Sequence, residues 1–125
     1  MKKARILICD DESGVRDSLK LILGNDHFLT FARNGQEAVE LIKKQDFDIA
    51  ILDVKMPRLG GLEALPKIKK ARPRIKILMA TGYESSDVAS QAINLGADDY
   101  LVKPFDRQQV LEKIKSFLDA QGTSA

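Results

Sequence analysis

Acidic, hydroxyl and ammonium side chains stand at or just beyond the ends of four of the apolar runs in this 125-residue sequence. They are Asp10, Asp11 and Glu12 after the first run, Asp53 after the third, Thr81 after the fourth and Lys103 after the fifth. Carboxylates gathered in a partly buried cleft repel one another unless a cation neutralises them. This group therefore predicts a Mg²⁺ site, with Mn²⁺ as the alternative. Beside such an ion a carboxylate can attack phosphorus, while ammonium and hydroxyl groups neutralise the phosphoryl oxygens.

The segments that must position these residues alternate regularly along the chain. Short apolar runs occupy residues 5–9, 28–31, 48–52, 75–79 and 100–102, and a segment with helical periodicity follows each of them. Five strands alternating with five helices predict a parallel sheet that is covered on both faces. We predict an α/β fold, a doubly wound, flavodoxin-like sheet in the order 2-1-3-4-5. Its polar groups would converge at the carboxyl edge, where open α/β sheets bind ligands.

Three local signals concern the ends of the helices. Asn34 is placed to cap the second helix through its side chain. Gly24 and Asn25 are expected to end the first helix in the left-handed conformation. Pro66 falls inside the third helical pattern, where it lacks an N–H donor and crowds the preceding turn. We therefore expect the third helix to start late or to kink at that residue.

Composition and charge limit the classes of function. The 20 basic and 18 acidic residues give a net charge of +2 and are spread along the chain, which argues against a nucleic-acid binder. Cys9 lies inside an apolar run and is predicted to be a core residue. No apolar stretch reaches the ~20 residues of a membrane span and no signal peptide is evident, which predicts a cytoplasmic protein without membrane contact. We predict one domain over residues 1–121 and a disordered tail over 122–125.

Four short blocks carry a resemblance to a known family. They read Cys-Asp-Asp-Glu at 9–12, Leu-Asp-Val-Lys-Met-Pro at 52–57, Ala-Thr-Gly at 80–82 and Tyr-Leu-Val-Lys-Pro-Phe at 100–105. Each block alone is weak, but together, in order and each at a predicted strand end, they are specific. The chain resembles the receiver domains of two-component response regulators, of the chemotaxis-regulator or sporulation-relay kind. The resemblance runs from Arg5 to about Leu118.

The resemblance implies a role for each matching residue. Asp53 corresponds to the phosphoacceptor, and Asp11 and Asp53 to direct Mg²⁺ ligands. Asp10 would act largely through water, and the backbone carbonyl of Lys55 would complete the protein's ligands. Thr81 and Lys103 correspond to the hydroxyl and the ammonium that contact the phosphoryl group.

The resemblance also implies a switch and a set of partners. Tyr100 corresponds to an aromatic switch that turns inward when Thr81 moves toward the phosphate, and the Lys103–Pro104 peptide bond would be cis. The phosphoryl donor would be a sensor histidine kinase or a histidine phosphotransfer protein. An output protein or effector domain would read the surface of helix 4, strand 5 and helix 5. Such a switch catalyses only its own phosphorylation and dephosphorylation, so we expect no other enzymatic turnover.

Two features depart from the family pattern. Gly60 stands where many members carry a polar residue, which predicts a looser loop beside Asp53. The segment 84–95 contains no Lys or Arg, whereas receivers that dimerise through this face usually place basic residues there to meet acidic ones such as Asp98 and Asp99. Lys113 could still pair with these acidic residues. We therefore expect a monomer or a weak, phosphorylation-dependent dimer.

Several alternative interpretations remain open at this stage. A Mg²⁺-dependent phosphohydrolase with an aspartate nucleophile would use the same residue types, although such enzymes usually carry the nucleophile after the first strand. A flavodoxin-like electron carrier would share the sheet but would need a phosphate loop where the acidic residues stand. Asp10 and Asp11 could instead serve as helix caps, and Tyr100 could be ordinary strand packing. Lys55 and Tyr83 could shield the aspartyl-phosphate from water or simply be exposed.

Overall fold

Five β-strands and five α-helices alternate along the chain in a computed structural model, which describes residues 3–82 and 86–123 and, of these, no side chain at 86 or 121–123. The elements are β1 Arg5–Cys9, α1 Ser13–Leu23, β2 Phe28–Ala32, α2 Gly35–Lys44, β3 Ile49–Leu52, α3 Gly61–Ala71, β4 Lys76–Thr81, α4 Ser86–Asn94, β5 Asp99–Val102 and α5 Arg107–Thr123. They agree with the predicted alternation, and strand boundaries differ from the apolar runs by one or two residues.

All strands are parallel and form one sheet in the order β2-β1-β3-β4-β5, which confirms the predicted fold. The strand registers align the carboxyl ends. Cys9 pairs with both Ala32 and Leu52, and Thr81 pairs with Val102. Because each of these residues is the last of its strand, the residues that follow emerge along one edge of the sheet.

The core has two halves, one on each face of the sheet. Leu7 and Cys9 belong to the cluster that contains buried residues of α2, α3 and α4, whereas Ile6 and Ile8 belong to the cluster with buried residues of α1 and α5. Successive strand residues point to opposite faces, so a strand covered on both sides must be apolar throughout. This requirement explains the uninterrupted apolar runs of β1 and β3.

The prediction that α3 starts late because of Pro66 was wrong, whereas a kink at Pro66 stays a prediction. Helix α3 begins at Gly61, five residues before Pro66, and continues through it to Ala71. The Ala64 N–H donates to the Gly60 carbonyl, so the first turn is already formed upstream of the proline. Pro66 lies on the exposed face of α3, where water can hydrogen-bond the carbonyl it leaves without a partner, while Leu65 and Ile68 are fully buried on the other face.

The remaining helix ends give one confirmation and two differences. The Asn34 side chain accepts a hydrogen bond from the Glu37 N–H, as predicted for a cap. Gly24 does end α1, but in the right-handed helical region (φ −66°), because its N–H still bonds the Lys20 carbonyl. Helix α5 extends to Thr123, so it includes the first two residues of the segment predicted as a tail, 122–125. Within the described residues, none of the helices combines the length and the apolar character that a membrane crossing requires.

Candidate functional site

Backbone hydrogen bonds continue just beyond the strands and fix the functional residues to the sheet. The Asp10 N–H donates to the Ala32 carbonyl over 3.1 Å, and the Asp53 N–H donates to the Cys9 carbonyl over 3.0 Å. On the other side, the Lys103 N–H donates to the Thr81 carbonyl over 2.8 Å. The side chains that sequence reasoning placed at strand ends are therefore held at one edge by the sheet itself.

Lys103 is the centre of the charge arrangement. Its Nζ atom lies 2.7 Å from Asp10 Oδ2, 3.1 Å from Asp53 Oδ2 and 3.7 Å from Glu12 Oε1. The side chains of Asp10 and Asp53 are only 3% and 8% exposed, so these ion pairs are poorly screened by water. Lys103 and Asp53 also line an open cavity of about 680 Å³, together with Asp11 and Thr81.

The pKa values of Asp53 and Lys103 reflect their burial and the charges beside them. Burial raises the pKa of the Asp53 carboxyl, and the neighbouring Asp10 carboxylate raises it further; the hydrogen bond from Lys103 only partly offsets both effects. For Lys103, burial lowers the pKa, but its contacts with Asp10 and Asp53 outweigh burial and the net direction is upward. The amine is thus firmly protonated, and one ammonium does not balance the carboxylates.

The carboxylates are close enough to share one ion. Oxygen atoms of Asp10, Asp11, Glu12 and Asp53 all lie within 4.8 Å of one another. An all-oxygen set that includes several carboxylates suits a hard divalent cation rather than a thiophilic metal. Together with the charge excess at Asp53, this donor set fits the predicted magnesium ion.

Three hydrogen bonds orient the two buried aspartates. The Asp10 Oδ1 atom accepts from the Glu12 N–H over 3.0 Å, and the Asp10 carbonyl accepts from Arg16 Nη1 over 2.7 Å. Asp53 Oδ1 lies 3.4 Å from the Lys55 N–H. The N-cap of α1 is Glu12, so neither Asp10 nor Asp11 occupies the cap position. Sequence reasoning missed Arg16; its position in the first turns of α1 was the available signal.

The residues of the expected switch lie on the two strands at one side of the site. Thr81 is fully buried at the end of β4. Tyr100, on β5, is half-buried and packs against the core cluster that contains α2, α3 and α4 residues. The Lys103–Pro104 peptide bond is cis, as the resemblance implied. Tyr83 lies outside the described residues.

Two further predictions concern residues near the site. Cys9 is buried, and burial and then the Asp10 carboxylate raise the pKa of its thiol to about 12, which agrees with a core role. Its Sγ atom lies 3.1 Å from the Asn34 carbonyl. Gly60 has an ordinary extended backbone, yet a Cβ atom there would lie 2.8 Å from the Val54 carbonyl oxygen, so the loop is closely packed at this point.

Comparison with known proteins assigns the chain to a family. The model of the response regulator receiver domain matches residues 6–115. The chain belongs to the response regulator receiver domain family. The receiver domain is 32% identical over 119 residues to sporulation initiation phosphotransferase F of Bacillus subtilis, covering 94% of this chain and 96% of that protein. It is also 37% identical over 128 residues to response regulator MprA of Mycolicibacterium vanbaalenii, covering 97% of this chain but 55% of that protein.

Solved structures agree with the family and the fold. A receiver domain protein (CheY-like) from Methanospirillum hungatei superimposes with a TM-score of 0.93 and 38% identity, covering 99% of this chain and 100% of that one. Among the curated relatives, the receiver domain spans about half the length of MprA and nearly the whole of sporulation initiation phosphotransferase F. Membership of this family identifies a phosphoacceptor module of two-component signalling.

Proposed function

We propose that the receiver domain takes a phosphoryl group onto the Asp53 carboxylate from a phosphohistidine of a sensor histidine kinase or a histidine phosphotransfer protein. The observation that carries this proposal is the placement of Asp53 and Lys103 at one edge of the sheet, 3.1 Å apart, inside an acidic cluster. In the transfer, an Asp53 oxygen forms a bond to phosphorus as the phosphorus–nitrogen bond breaks. The imidazole leaves after taking up a proton.

The donor groups of the site support a bound Mg²⁺ or Mn²⁺ ion. Asp11 and Asp53 would ligate it directly, with the Lys55 backbone carbonyl, and Asp10 would contribute through water. When bound, the ion supplies charge neutralisation at the phosphoryl oxygens. Lys103 keeps its ammonium beside Asp53, where it can neutralise another oxygen, and the Thr81 hydroxyl would approach a third. Their strand-end positions keep these groups oriented before the donor arrives.

We further propose that phosphorylation is read through the surface of α4, β5 and α5. Thr81 would move toward the phosphoryl group and Tyr100 would turn inward, which shifts a two-state equilibrium that an output protein or effector domain senses. Ile93 and Leu95 are 48% and 41% exposed on and just after α4, which supports a partner with apolar contacts there. In this proposal the chain turns over no substrate besides its own phosphoryl group.

Acetyl phosphate with Mg²⁺ tests the proposal without a cognate kinase. We expect intact-protein mass spectrometry to show one added phosphoryl group, labile to hydroxylamine, in the wild type and none in Asp53→Asn. The matched control is Asp46→Asn, because Asp46 is 82% exposed and pairs with Arg72 away from the site. A label that persists in Asp53→Asn, or that forms equally in EDTA, would contradict the proposal.

The same preparation distinguishes a switch from a phosphohydrolase. A switch releases phosphate only at the rate at which it loses its own label, and it should not hydrolyse an added phosphomonoester. Continuous phosphate release from p-nitrophenyl phosphate that stops in Asp53→Asn would favour the hydrolase instead.

A further inference from the structure

The first residue of α2 makes a backbone contact with the loop that carries the proposed phosphoacceptor. This loop, residues 53–60, connects β3 to α3 and contains Asp53 and the Lys55 carbonyl. The Gly35 N–H, at the first residue of α2, donates to the Leu59 carbonyl over 2.9 Å. At the loop's end the Gly61 N–H donates to the Val54 carbonyl, also over 2.9 Å. Backbone-to-backbone contacts thus hold the loop near its end and tie that end to the beginning of the loop.

The contact at Gly35 leaves no room for a side chain. A Cβ atom at Gly35 would overlap the carbonyl oxygen of Leu59 and would lie 2.9 Å from both its carbonyl carbon and its Cβ. The overlapping atoms belong to the backbone, so no side-chain rotation can relieve the overlap. Either the loop or the start of α2 has to move.

The loop needs such support because it contains an unfavourable turn. Arg58 adopts a φ of 69°, and the Leu59 N–H donates to the Pro57 carbonyl over 2.8 Å. A three-residue turn with positive φ at a residue other than glycine is rare and strained. Strained backbone persists only where the surrounding structure holds it. Here the carbonyl of Leu59, the last residue of the turn, is the group that Gly35 holds.

We propose that Gly35 is a positioning residue for the divalent-cation site, acting through the Leu59 carbonyl on the loop that presents Asp53 and the Lys55 carbonyl. Gly35 belongs to another element and contributes no side chain to the acidic cluster. This inference rests on the proposed cation site. Groups that orient metal ligands from outside typically change metal affinity by about 10- to 100-fold when they are altered.

The test compares Gly35→Ala with Gly14→Ala by calorimetric titration with Mg²⁺. Gly14 is also in the first turn of a helix, but a Cβ atom there would have nothing within 4 Å. We expect Gly35→Ala to weaken Mg²⁺ binding about tenfold or more and Gly14→Ala to leave it unchanged. A third variant, Ile114→Val on the opposite face of the sheet, reports what general destabilisation does, and we expect wild-type Mg²⁺ affinity from it.

The outcomes separate this inference from the proposed function. If the wild type binds no Mg²⁺, the proposed cation site fails. If the wild type binds and Gly35→Ala binds equally well, or Ile114→Val loses as much affinity, the positioning role of Gly35 is overturned.

Amide hydrogen exchange in the wild type decides the matter if Gly35→Ala does not fold. Coupling between two sites is reciprocal, so Mg²⁺ should slow exchange of the Gly35 amide more than that of Ile42 in the same helix. Equal slowing at both amides would overturn the inference.

Discussion

Lys103 bridges two largely buried carboxylates, Asp10 and Asp53, at the edge of an open cavity. Its ammonium contacts Asp10 and Asp53 at 2.7 and 3.1 Å, and its side chain is only 14% exposed. Removing one partner of a buried ion pair leaves the other charge desolvated and uncompensated, which is far more destabilising than losing a surface pair. At the residue scale, the group proposed to neutralise the phosphoryl oxygens also stabilises the fold before any phosphoryl group is present.

We therefore expect Lys103→Met to lower the free energy of unfolding in EDTA by about 3 kcal/mol. The control is Lys113→Met, which breaks a pair with Asp99 at 2.8 Å between side chains 33% and 37% exposed. That loss should be at most about 1 kcal/mol. Urea unfolding measures both, and Mg²⁺ should recover part of the loss only in Lys103→Met because the ion neutralises the same carboxylates. Equal losses in the two variants would contradict this account.

Sequence reasoning brought the main site residues together because residue type and strand order were sufficient. A carboxylate or amine directly after an apolar run must lie at the carboxyl edge once the sheet is parallel. The support from Arg16 and Gly35 was not predicted. Gly35 acts through the Leu59 carbonyl of a loop distant in sequence, and no local pattern encodes that contact. Arg16 acts through the nearby Asp10 carbonyl, and its position in the first turns of α1 was the available signal.

At the scale of elements, His27 ties the loop between α1 and β2 to the start of β1. Its Nδ1 atom accepts a hydrogen bond from the N–H of Ala4, a fully buried residue, over 3.0 Å. Only the neutral imidazole can accept at that atom. Partial burial lowers the pKa of His27, Asp26 opposes this, and Lys3 adds to it.

The sign of the resulting pH dependence follows from linkage. Between the lowered folded pKa and the ordinary value of about 6.5, the unfolded chain binds a proton that the folded chain does not. The contribution of His27 to stability should therefore fall as pH decreases from about 7.5 to about 5.5, above the ordinary pKa values of carboxyl groups. Because His27 is the only histidine in the chain, His27→Gln should flatten this part of the curve in urea unfolding. An unchanged slope in the variant would assign the effect to other groups.

The strands and helices could be predicted where the apolar periodicity was strong. Predictions failed where the outcome depended on which side of a helix faces solvent. The five strands and the inner faces of the helices follow from patterns of burial. The late start of α3 was wrongly predicted because the cost of Pro66 depends on whether water reaches the carbonyl that it frees, and the face on which it lies is known only once α3 is packed. Gly24 permits the left-handed conformation but does not require it.

At the scale of the whole molecule, the acidic groups beside β5 already have partners within the chain. Asp99 pairs with Lys113 at 2.8 Å. Asp98 accepts from the Ile77 N–H at 2.8 Å and from Lys69 Nζ at 3.1 Å, which links it to β4 and α3. Helix α4 offers no lysine or arginine over Ser86–Asn94. A second copy that docks on this surface through ion pairs with Asp98 or Asp99 would first have to break their ion pairs within the chain.

We therefore expect the receiver domain to remain a monomer when it is activated by beryllofluoride and Mg²⁺. Each cross-copy ion pair would replace an internal one, so the net gain is close to zero and does not offset the lost translational and rotational freedom. Light scattering after size exclusion, with and without the activating mixture, measures the mass. A doubled mass that Lys113→Ala abolishes would show that Lys113 exchanges Asp99 of its own chain for a partner on a second copy, and the prediction would be wrong. A doubled mass that survives in Lys113→Ala would contradict it through contacts other than this pair.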